Sequence, residues 1–263
     1  MIFMNHFDSK LFNLPLKDKL IAVKAEFEAE GTTINELAIL SQFCRSHNMP
    51  LTLKIGGPLA KRDIYEAFQL GAENILAPMV ESSFALGYFI IFYKTVLHTF
   101  TRLKHNPTML INIERYLAYK NLDEILEFIK ESDYKVKGLV IGRTDLSDSL
   151  NEKDVNSRKI YDISLSILQR AKKENLNVTV GGQITNDSFE FLESLSKYGL
   201  KAFETRKCTF KIDESFSKEK FERLVNFGLQ LELEWLEHKK NVYSERSSID
   251  DSRINSIISR FQN

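Results

Sequence analysis

The feature that most constrains the fold is a regular alternation of short apolar runs with segments of helical period. Seven runs rich in β-branched and aliphatic residues have the length of strands. In the segments between them, apolar residues recur three and four positions apart. This strand–helix alternation predicts a parallel sheet. The expected strands are 21–28, 51–57, 74–81, 109–114, 138–146, 177–183 and 202–210.

Polar residues fall at one end of these runs. The second run ends in Lys54, the fourth in Glu114, and the fifth in Arg143 and Asp145. Charges inside a barrel are costly unless they are paired or bound to a metal. Their collection at the carboxyl ends of strands favours the face where barrel active sites are built, with ordinary strand-end ion pairs as the alternative. The pattern predicts a (β/α)8 TIM barrel with its active site at that face.

An open doubly wound sheet would give the same alternation. However, the sequence has no G-x-G-x-x-G after the first strand and no G-x-x-x-x-G-K-[ST] loop. A barrel needs an eighth strand, and the region before Lys19 is the one candidate for it. We therefore expect a catalytic barrel over residues 1–212.

The remaining segment, residues 213–263, has a different pattern. Leu224, Leu231, Trp235 and Leu236 mark a long amphipathic helix over about 218–240, followed by a polar stretch and a short helix at 254–261. The helix shows more apolar surface than the terminal helix of a monomeric barrel usually leaves uncovered. A C-terminal helical extension that serves homo-oligomerisation is expected.

Composition narrows the class of protein. The 36 basic and 36 acidic residues cancel, so no nucleic acid or anionic membrane surface is indicated as a partner. Cys44 and Cys208 have no metal-site or disulfide-scaffold spacing. A cytoplasmic enzyme with a small-molecule substrate fits these features.

Several catalytic classes lack their motif. There is no G-x-S-x-G elbow and no H-E-x-x-H. Histidine general-base catalysis is not expected, because every histidine falls on a helix, in the N-terminal segment or in a loop before a strand. The histidines are His6, His47, His98, His105 and His238.

Carboxylate chemistry remains. Glu114 and Asp145 end successive expected strands, and neighbouring strands lie about 4.8 Å apart, so both carboxylates can reach one hard cation. Mg²⁺ or Mn²⁺ is commonly held by two protein oxygens together with water and a chelating substrate. The alternative is that Glu114 pairs with Arg143 or Lys54 and that no metal binds.

Four segments resemble, in order and spacing, the HpcH/HpaI aldolase and citrate lyase β-subunit family. The resemblance covers roughly residues 20–210 and is most specific at Gly-x-x-Asp-Leu-Ser. The segments are Lys54-Ile55-Gly56-Gly57, residues 71–82 (GAENILAPMVES), Ile111-Asn112-Ile113-Glu114, and residues 138–147 (GLVIGRTDLS).

This resemblance implies a site and a reaction. Glu114 and Asp145 would bind the metal, while Gly142, Arg143 and Thr144 would hold the carboxylate of pyruvate or oxaloacetate through backbone amides. The implied function is a metal-dependent carbon–carbon lyase that acts through the enolate of a 2-oxo acid, with an aldehyde or acyl acceptor. An acyl-CoA lyase or thioesterase, and a non-catalytic metabolite-binding barrel, remain as alternatives.

The chain departs from that family at two positions. Where the aldolases have Asp-x-Glu-His, it reads Lys24-Ala25-Glu26-Phe27, and Phe27 cannot move a proton. Where many members place an arginine against the enolate oxygen, it has Lys54, which can still stabilise an oxyanion. The base then has to come from metal-bound water or from another strand-end group. The side chains open for this role are Glu26, Glu28, Glu81, Glu204 and Lys207.

Overall fold

The computed structural model describes residues 7–100, 106–134 and 136–261. Eight strands form a closed barrel in chain order, which confirms the expected fold class. Each strand is hydrogen-bonded to the next, and β8 closes the ring on β1. The strands are β1 (Leu20–Glu26), β2 (Leu51–Lys54), β3 (Asn74–Ala77), β4 (Thr108–Ile113), β5 (Gly138–Gly142), β6 (Asn177–Gly181), β7 (Ala202–Glu204) and β8 (Cys208–Lys211).

The last strand corrects the sequence interpretation. Strands β1 to β7 are parallel, but β8 runs antiparallel to both β7 and β1. The expected single strand 202–210 is two strands, because the chain reverses at Thr205, whose amide donates to the Cys208 carbonyl at 2.8 Å. In the region before Lys19, the residues that the structure describes, from Phe7 onward, contribute no strand and instead form two 3-10 helices, Lys10–Asn13 and Pro15–Lys19.

The helices surround the barrel and end where local chemistry dictates. Thr33 opens the first helix with a capping box, since its hydroxyl and the Glu36 side chain satisfy each other's backbone amides. Gly71 closes the second in the left-handed region at φ 71°. The helices are α1 (Ile34–Ser46), α2 (Lys61–Leu70), α3 (Ser83–Thr99), α4 (Tyr116–Lys120), α5 (Leu122–Glu131), α6 (Arg143–Ser149), α7 (Arg158–Lys173), α8 (Phe189–Ser196) and α9 (Lys218–Phe261).

The expected fifth strand, 138–146, is longer than the observed one. Strand β5 ends at Gly142, and the next residue begins α6. Asp145 therefore lies in the first turn of a helix and not on a strand. At this junction Gly142 packs against Glu114 so closely that an added Cβ would lie 2.7 Å from the Glu114 Cβ.

Helix α9 also differs from expectation. It is one continuous helix, so the short helix expected at 254–261 is its final part. Leu224, Leu231 and Trp235 are each 2% exposed and belong to the hydrophobic core, so they are not free for a partner chain, as the sequence interpretation had them. Leu236 is half-exposed. Homo-oligomerisation stays a prediction.

No helix among the described residues is both long and apolar enough to cross a lipid bilayer. The apolar segment 84–100 forms most of α3, which buries Leu86, Phe89 and Val96 in the hydrophobic core.

Candidate active site

Three charged side chains converge at the mouth formed by the carboxyl ends of the parallel strands, which we call the C-terminal mouth. The ammonium group of Lys54, on β2, lies 3.7 Å from Glu114 Oε2 and 3.9 Å from Glu26 Oε2. All three side chains are largely buried, with 3% to 18% of their surface exposed. The Lys54 ammonium group thus lies between two carboxylates that come from the ends of two other strands.

Glu114 is held by two further donors. The Asn112 side-chain amide donates to Glu114 Oε2 at 2.6 Å, and the Met79 backbone N–H donates to Oε1 at 2.9 Å. Met79 has φ 57°, an unusual value for a residue with a side chain, and such strain often accompanies functional sites. Sequence reasoning missed Asn112, although its spacing of two from Glu114 on a strand places both on one face.

Asp145 reaches the same mouth from α6. Its carboxyl group lies close enough to Glu114 and Lys54 for their charges to act on it. Partial burial of that carboxyl group and the nearby charge of Glu114 raise the pKa of Asp145. Two carboxylates that repel each other in this way suit a divalent cation, which relieves the repulsion. In the described part of the chain, no group of three or more His, Cys, Asp or Glu side chains forms a fuller metal cage.

A small cradle lies beside this pair. An added Cβ at Gly182 would be 2.7 Å from the Arg143 amide nitrogen, 2.6 Å from the Thr144 amide nitrogen and 2.9 Å from the Thr144 hydroxyl. Only glycine, here at φ 85°, keeps these three donors clear of a side chain. Sequence reasoning missed Gly182, because a Gly-Gly pair alone is too short to mark a binding loop.

The Arg143 side chain does not point to this cradle. Its guanidinium is buried, donates to the carbonyls of Gly181 and Gly182 and to Asn156 Oδ1, and stacks on the Phe191 ring at 4.7 Å. Burial lowers the pKa of Arg143 to about 10. Of the Arg143 groups, the backbone amide is therefore the one that could bind a substrate, and the side chain fixes the loop after β6.

Two of the possible bases are engaged in buried ion pairs. Lys24 contacts Glu204, and Lys207 contacts Glu30. Burial alone would lower the pKa of Lys24, but the charges of Glu204 and Glu26 outweigh burial and raise it. Glu26 differs from Glu204 and Lys207, because its closest cation is Lys54, 3.9 Å away.

The remaining possible bases lie at the edge of the site. Glu81 Oε1 is 3.2 Å from Arg115, while Glu28 is exposed, with its carboxylate beside Gly56. Phe27 is partly buried and packs on the hydrophobic core.

The described histidines are His47, His98 and His238. His47 caps α1, while His98 and His238 lie on α3 and α9. The other two, His6 and His105, lie outside the described residues.

The closed barrel thus has acidic strand ends and one bridging lysine at the face where barrel enzymes build their active sites. The chain belongs to the HpcH/HpaI aldolase/citrate lyase family, whose model matches residues 54–194, more than half of its length. This match confirms the resemblance found in the sequence.

Solved structures of low identity have a similar fold. Citrate synthase SbnG is 14% identical with a TM-score of 0.60, and the match covers 86% of this chain and 91% of that one. An HpcH/HpaI aldolase/citrate lyase family protein from Burkholderia cenocepacia J2315 is 13% identical with a TM-score of 0.54, covering 65% and 74%. Malate synthase from Haloferax volcanii is 10% identical with a TM-score of 0.58, covering 76% and 63%. A comparison with curated protein sequences gave no significant match.

Proposed function

We propose that this protein is a divalent-metal-dependent carbon–carbon lyase that acts on a 2-oxo acid through its enolate. The observation that carries the proposal is the placement of Lys54 between Glu26 and Glu114, with Asp145 against Glu114. This arrangement combines a cation ligand pair, an oxyanion partner and a carboxylate base within one mouth. The family name and the two synthases of similar fold also support carbon–carbon chemistry.

The donor set fits a hard cation. Glu114 and Asp145 supply carboxylate oxygens, and the Asn112 and Met79 donors fix the orientation of Glu114. When bound, Mg²⁺ or Mn²⁺ would act as a Lewis acid toward the oxygens of a 2-oxo acid. Enzymes of this family are generally dependent on divalent metals.

The side chains and backbone amides of the protein would then have separate roles in the reaction. The Lys54 ammonium would stabilise the negative charge that develops on the enolate oxygen. The amides of Arg143 and Thr144, left accessible by Gly182, would hold the substrate carboxylate. A 2-oxo acid held at both its carboxylate and its keto oxygen is oriented for reaction at its third carbon.

Glu26 is the side chain we assign to proton transfer. It would accept a proton from the third carbon as the enolate forms, or return one when the enolate collapses. Lys54 keeps its carboxylate near the reacting group, while Glu204 and Lys207 are held in other ion pairs. Glu26 thus takes over the role that a histidine at position 27 would have in the aldolases.

The test is hydrogen–deuterium exchange at the pyruvate methyl group, followed by NMR with Mg²⁺ or Mn²⁺ after chelator treatment. The wild type should exchange only with metal added. Asp145→Asn should lose metal-dependent exchange, while Asp162→Asn, at an exposed position on α7, should retain it. Circular dichroism and thermal unfolding check that both variants fold.

Two results would overturn the proposal. If the wild type exchanges no pyruvate protons and decarboxylates no oxaloacetate with either metal, the non-catalytic barrel is the better description. If activity appears only with coenzyme A thioesters, the thioesterase or acyl-CoA lyase alternative replaces it.

A further inference from the structure

The opposite end of the barrel contains an open cavity of about 800 Å³. It lies at the mouth formed by the amino ends of the parallel strands, which we call the N-terminal mouth. A cavity of this size falls in the range that holds small metabolites. The cavity reaches into the barrel as far as Glu204. The side chains of the other mouth, namely Glu26, Lys54, Glu114 and Asp145, do not line it.

The cavity exists because the barrel interior is filled incompletely here. TIM-barrel interiors are usually packed with layers of bulky valine, isoleucine and leucine. In this chain, small or hydroxylated side chains occupy much of the layer, so space is left between the strands. These side chains are Ala22, Thr52, Thr179, Ala202 and Thr209.

Some of the lining groups have no partner. The hydroxyls of Thr179 and Thr209 make no hydrogen bond to any described residue, and Thr209 is only 8% exposed. Thr52, in contrast, accepts a hydrogen bond from the Asn74 side chain at 3.0 Å. Neither hydroxyl is fully buried, so both are open to the cavity, and a polar cavity of this kind is normally filled by water or a ligand.

The rim of the cavity is positively charged. Lys137 precedes β5, Lys201 precedes β7 and Lys211 ends β8, so the three lie along one side of the mouth. Within the described ranges none of them forms an ion pair. Of the two lining carboxylates, Glu204 is paired with Lys24, and Glu73, which accepts the Leu51 backbone N–H at 2.7 Å, offsets only one of the three positive charges.

We propose that the cavity at the N-terminal mouth binds a small molecule that carries a phosphate group. Three ammonium groups match the two charges and several oxygens of a phosphate better than the single charge of a carboxylate. The free threonine hydroxyls would donate to the same oxyanion or to hydroxyl groups of the ligand. The site is distinct from the metal and 2-oxo acid site and does not require it to be active.

Isothermal titration calorimetry in a chelating buffer tests the proposal with inorganic phosphate, glycerol 3-phosphate and glycerol. We expect one site per chain, with a Kd of about 1 mM or tighter for at least one phosphate probe, and no heat with glycerol. Lys201→Gln should weaken binding about two- to fivefold, and replacing all three rim lysines with glutamine should abolish it. Lys153→Gln, an exposed lysine after α6, is the matched control and should bind as the wild type does.

Further variants separate the two ends of the barrel. Thr179→Val should weaken phosphate binding, whereas Thr179→Ser should bind phosphate as the wild type does, because serine keeps the hydroxyl. Asp145→Asn should not affect phosphate binding. NMR shifts of backbone amides should centre on Thr179 and Ala202.

Three outcomes would overturn the inference. One is the absence of saturable binding of either phosphate probe, which would mean a water-filled cavity. Another is an equal loss of affinity in Lys153→Gln and Lys201→Gln, which would mean general charge attraction. The third is NMR shifts centred on Thr144 and Gly182, which would place the anion at the C-terminal mouth.

Discussion

The two mouths of the barrel are both polar, but their polar groups are organised in different ways. At the C-terminal mouth, Glu114 receives hydrogen bonds from Asn112 and Met79 and lies near Lys54. At the N-terminal mouth, the rim lysines and two threonine hydroxyls have no described partner, and a cavity remains. The first arrangement holds a few groups in fixed positions, as catalysis requires. The second leaves donors available for a ligand to complete.

A buried ion pair lies between the two regions. Lys24 of β1 contacts Glu204 of β7, and Glu204 lines the N-terminal cavity. Because a buried charge is costly without its partner, this pair is strongly coupled and a poor choice for a group that must give up a proton. The contact between Lys54 and Glu26, at 3.9 Å, is too long for a hydrogen bond, so Glu26 is held less tightly than Glu204, in line with our proposal that Glu26 moves the proton.

The largest expected effect comes from Glu26→Gln. If proton transfer belongs to the C-terminal mouth, this variant should lower turnover of a 2-oxo acid by about 10²- to 10⁴-fold. Metal affinity should stay nearly unchanged, because Glu26 is not one of the proposed ligands. Steady-state kinetics and metal titration measure the two quantities separately.

The comparators for that test are Glu204→Gln and Lys207→Met. Each breaks a buried ion pair, so each should mainly lower the free energy of unfolding. If folded Glu204→Gln loses turnover while Glu26→Gln retains it, the base belongs to the boundary between the two regions and our assignment is wrong.

Gly182→Ala should have the next largest effect. The added methyl group would collide with the amide nitrogens of Arg143 and Thr144 and close the proposed carboxylate cradle. Losing one such donor typically lowers kcat by about 10²- to 10³-fold, and we expect a loss of that order. Gly31→Ala is the matched control, since Gly31 also has positive φ, but an added Cβ there has no neighbour within 4 Å. Equal activity losses in both variants would indicate backbone strain and not a blocked cradle.

The smallest expected effect is on the pH dependence of the free energy of unfolding, and its sign differs between the two mouths of the barrel. Near the N-terminal mouth, Asp213 lies 2.6 Å from Lys19, and hydrogen bonds from Lys19 and Ser215 lower its pKa. Its contribution to stability is present above the ordinary aspartate pKa of about 4 and is lost as pH falls through the depressed value. Asp213→Asn should therefore be less stable at pH 7 by about 0.2 to 1 kcal/mol, and the difference should become smaller as pH falls below the ordinary aspartate pKa.

At the C-terminal mouth the sign is reversed. The pKa of Asp145 is raised, so its contribution is most favourable below pH 4 and is lost as pH rises through the elevated value. Asp145→Asn should thus be more stable than the wild type at pH 7 in metal-free buffer. Urea unfolding at pH 7 and at pH 3 measures both differences. A stabilising Asp213→Asn or a destabilising Asp145→Asn at pH 7 would contradict the comparison.

The sequence was sufficient to predict the barrel and the end at which its acidic residues collect. Apolar runs that finish in Lys54 and Glu114 indicate both the strands and their direction. The eighth strand could not be predicted, because Cys208–Lys211 follows β7 after a turn of three residues and reads as one run with it.

The partners of the polar residues could not be predicted either. Lys24 and Glu204 are 180 positions apart in the chain, and their pairing depends on barrel closure. The burial of the Arg143 side chain depends on the path of the loop after β6. The sequence pattern gave the position of a charge at a strand end, but only the packing shows whether that charge is already paired.

The direction of β8 has a consequence for how this enzyme can vary. In a fully parallel barrel, the segment after the eighth strand starts beside the reacting groups, so changes in its length disturb them. Here the chain passes the C-terminal mouth in the short turn Thr205–Lys207 and leaves the barrel at the opposite end, after Lys211. Helix α9 thus begins at the far side from Glu26 and Lys54 and runs back along the barrel, where Gly228 packs on Thr205 and Glu232 lies 3.7 Å from Arg206. A lengthened or fused C-terminus should therefore leave the chemistry unchanged, provided that α9 remains intact as far as Tyr243, which donates a hydrogen bond to Glu36.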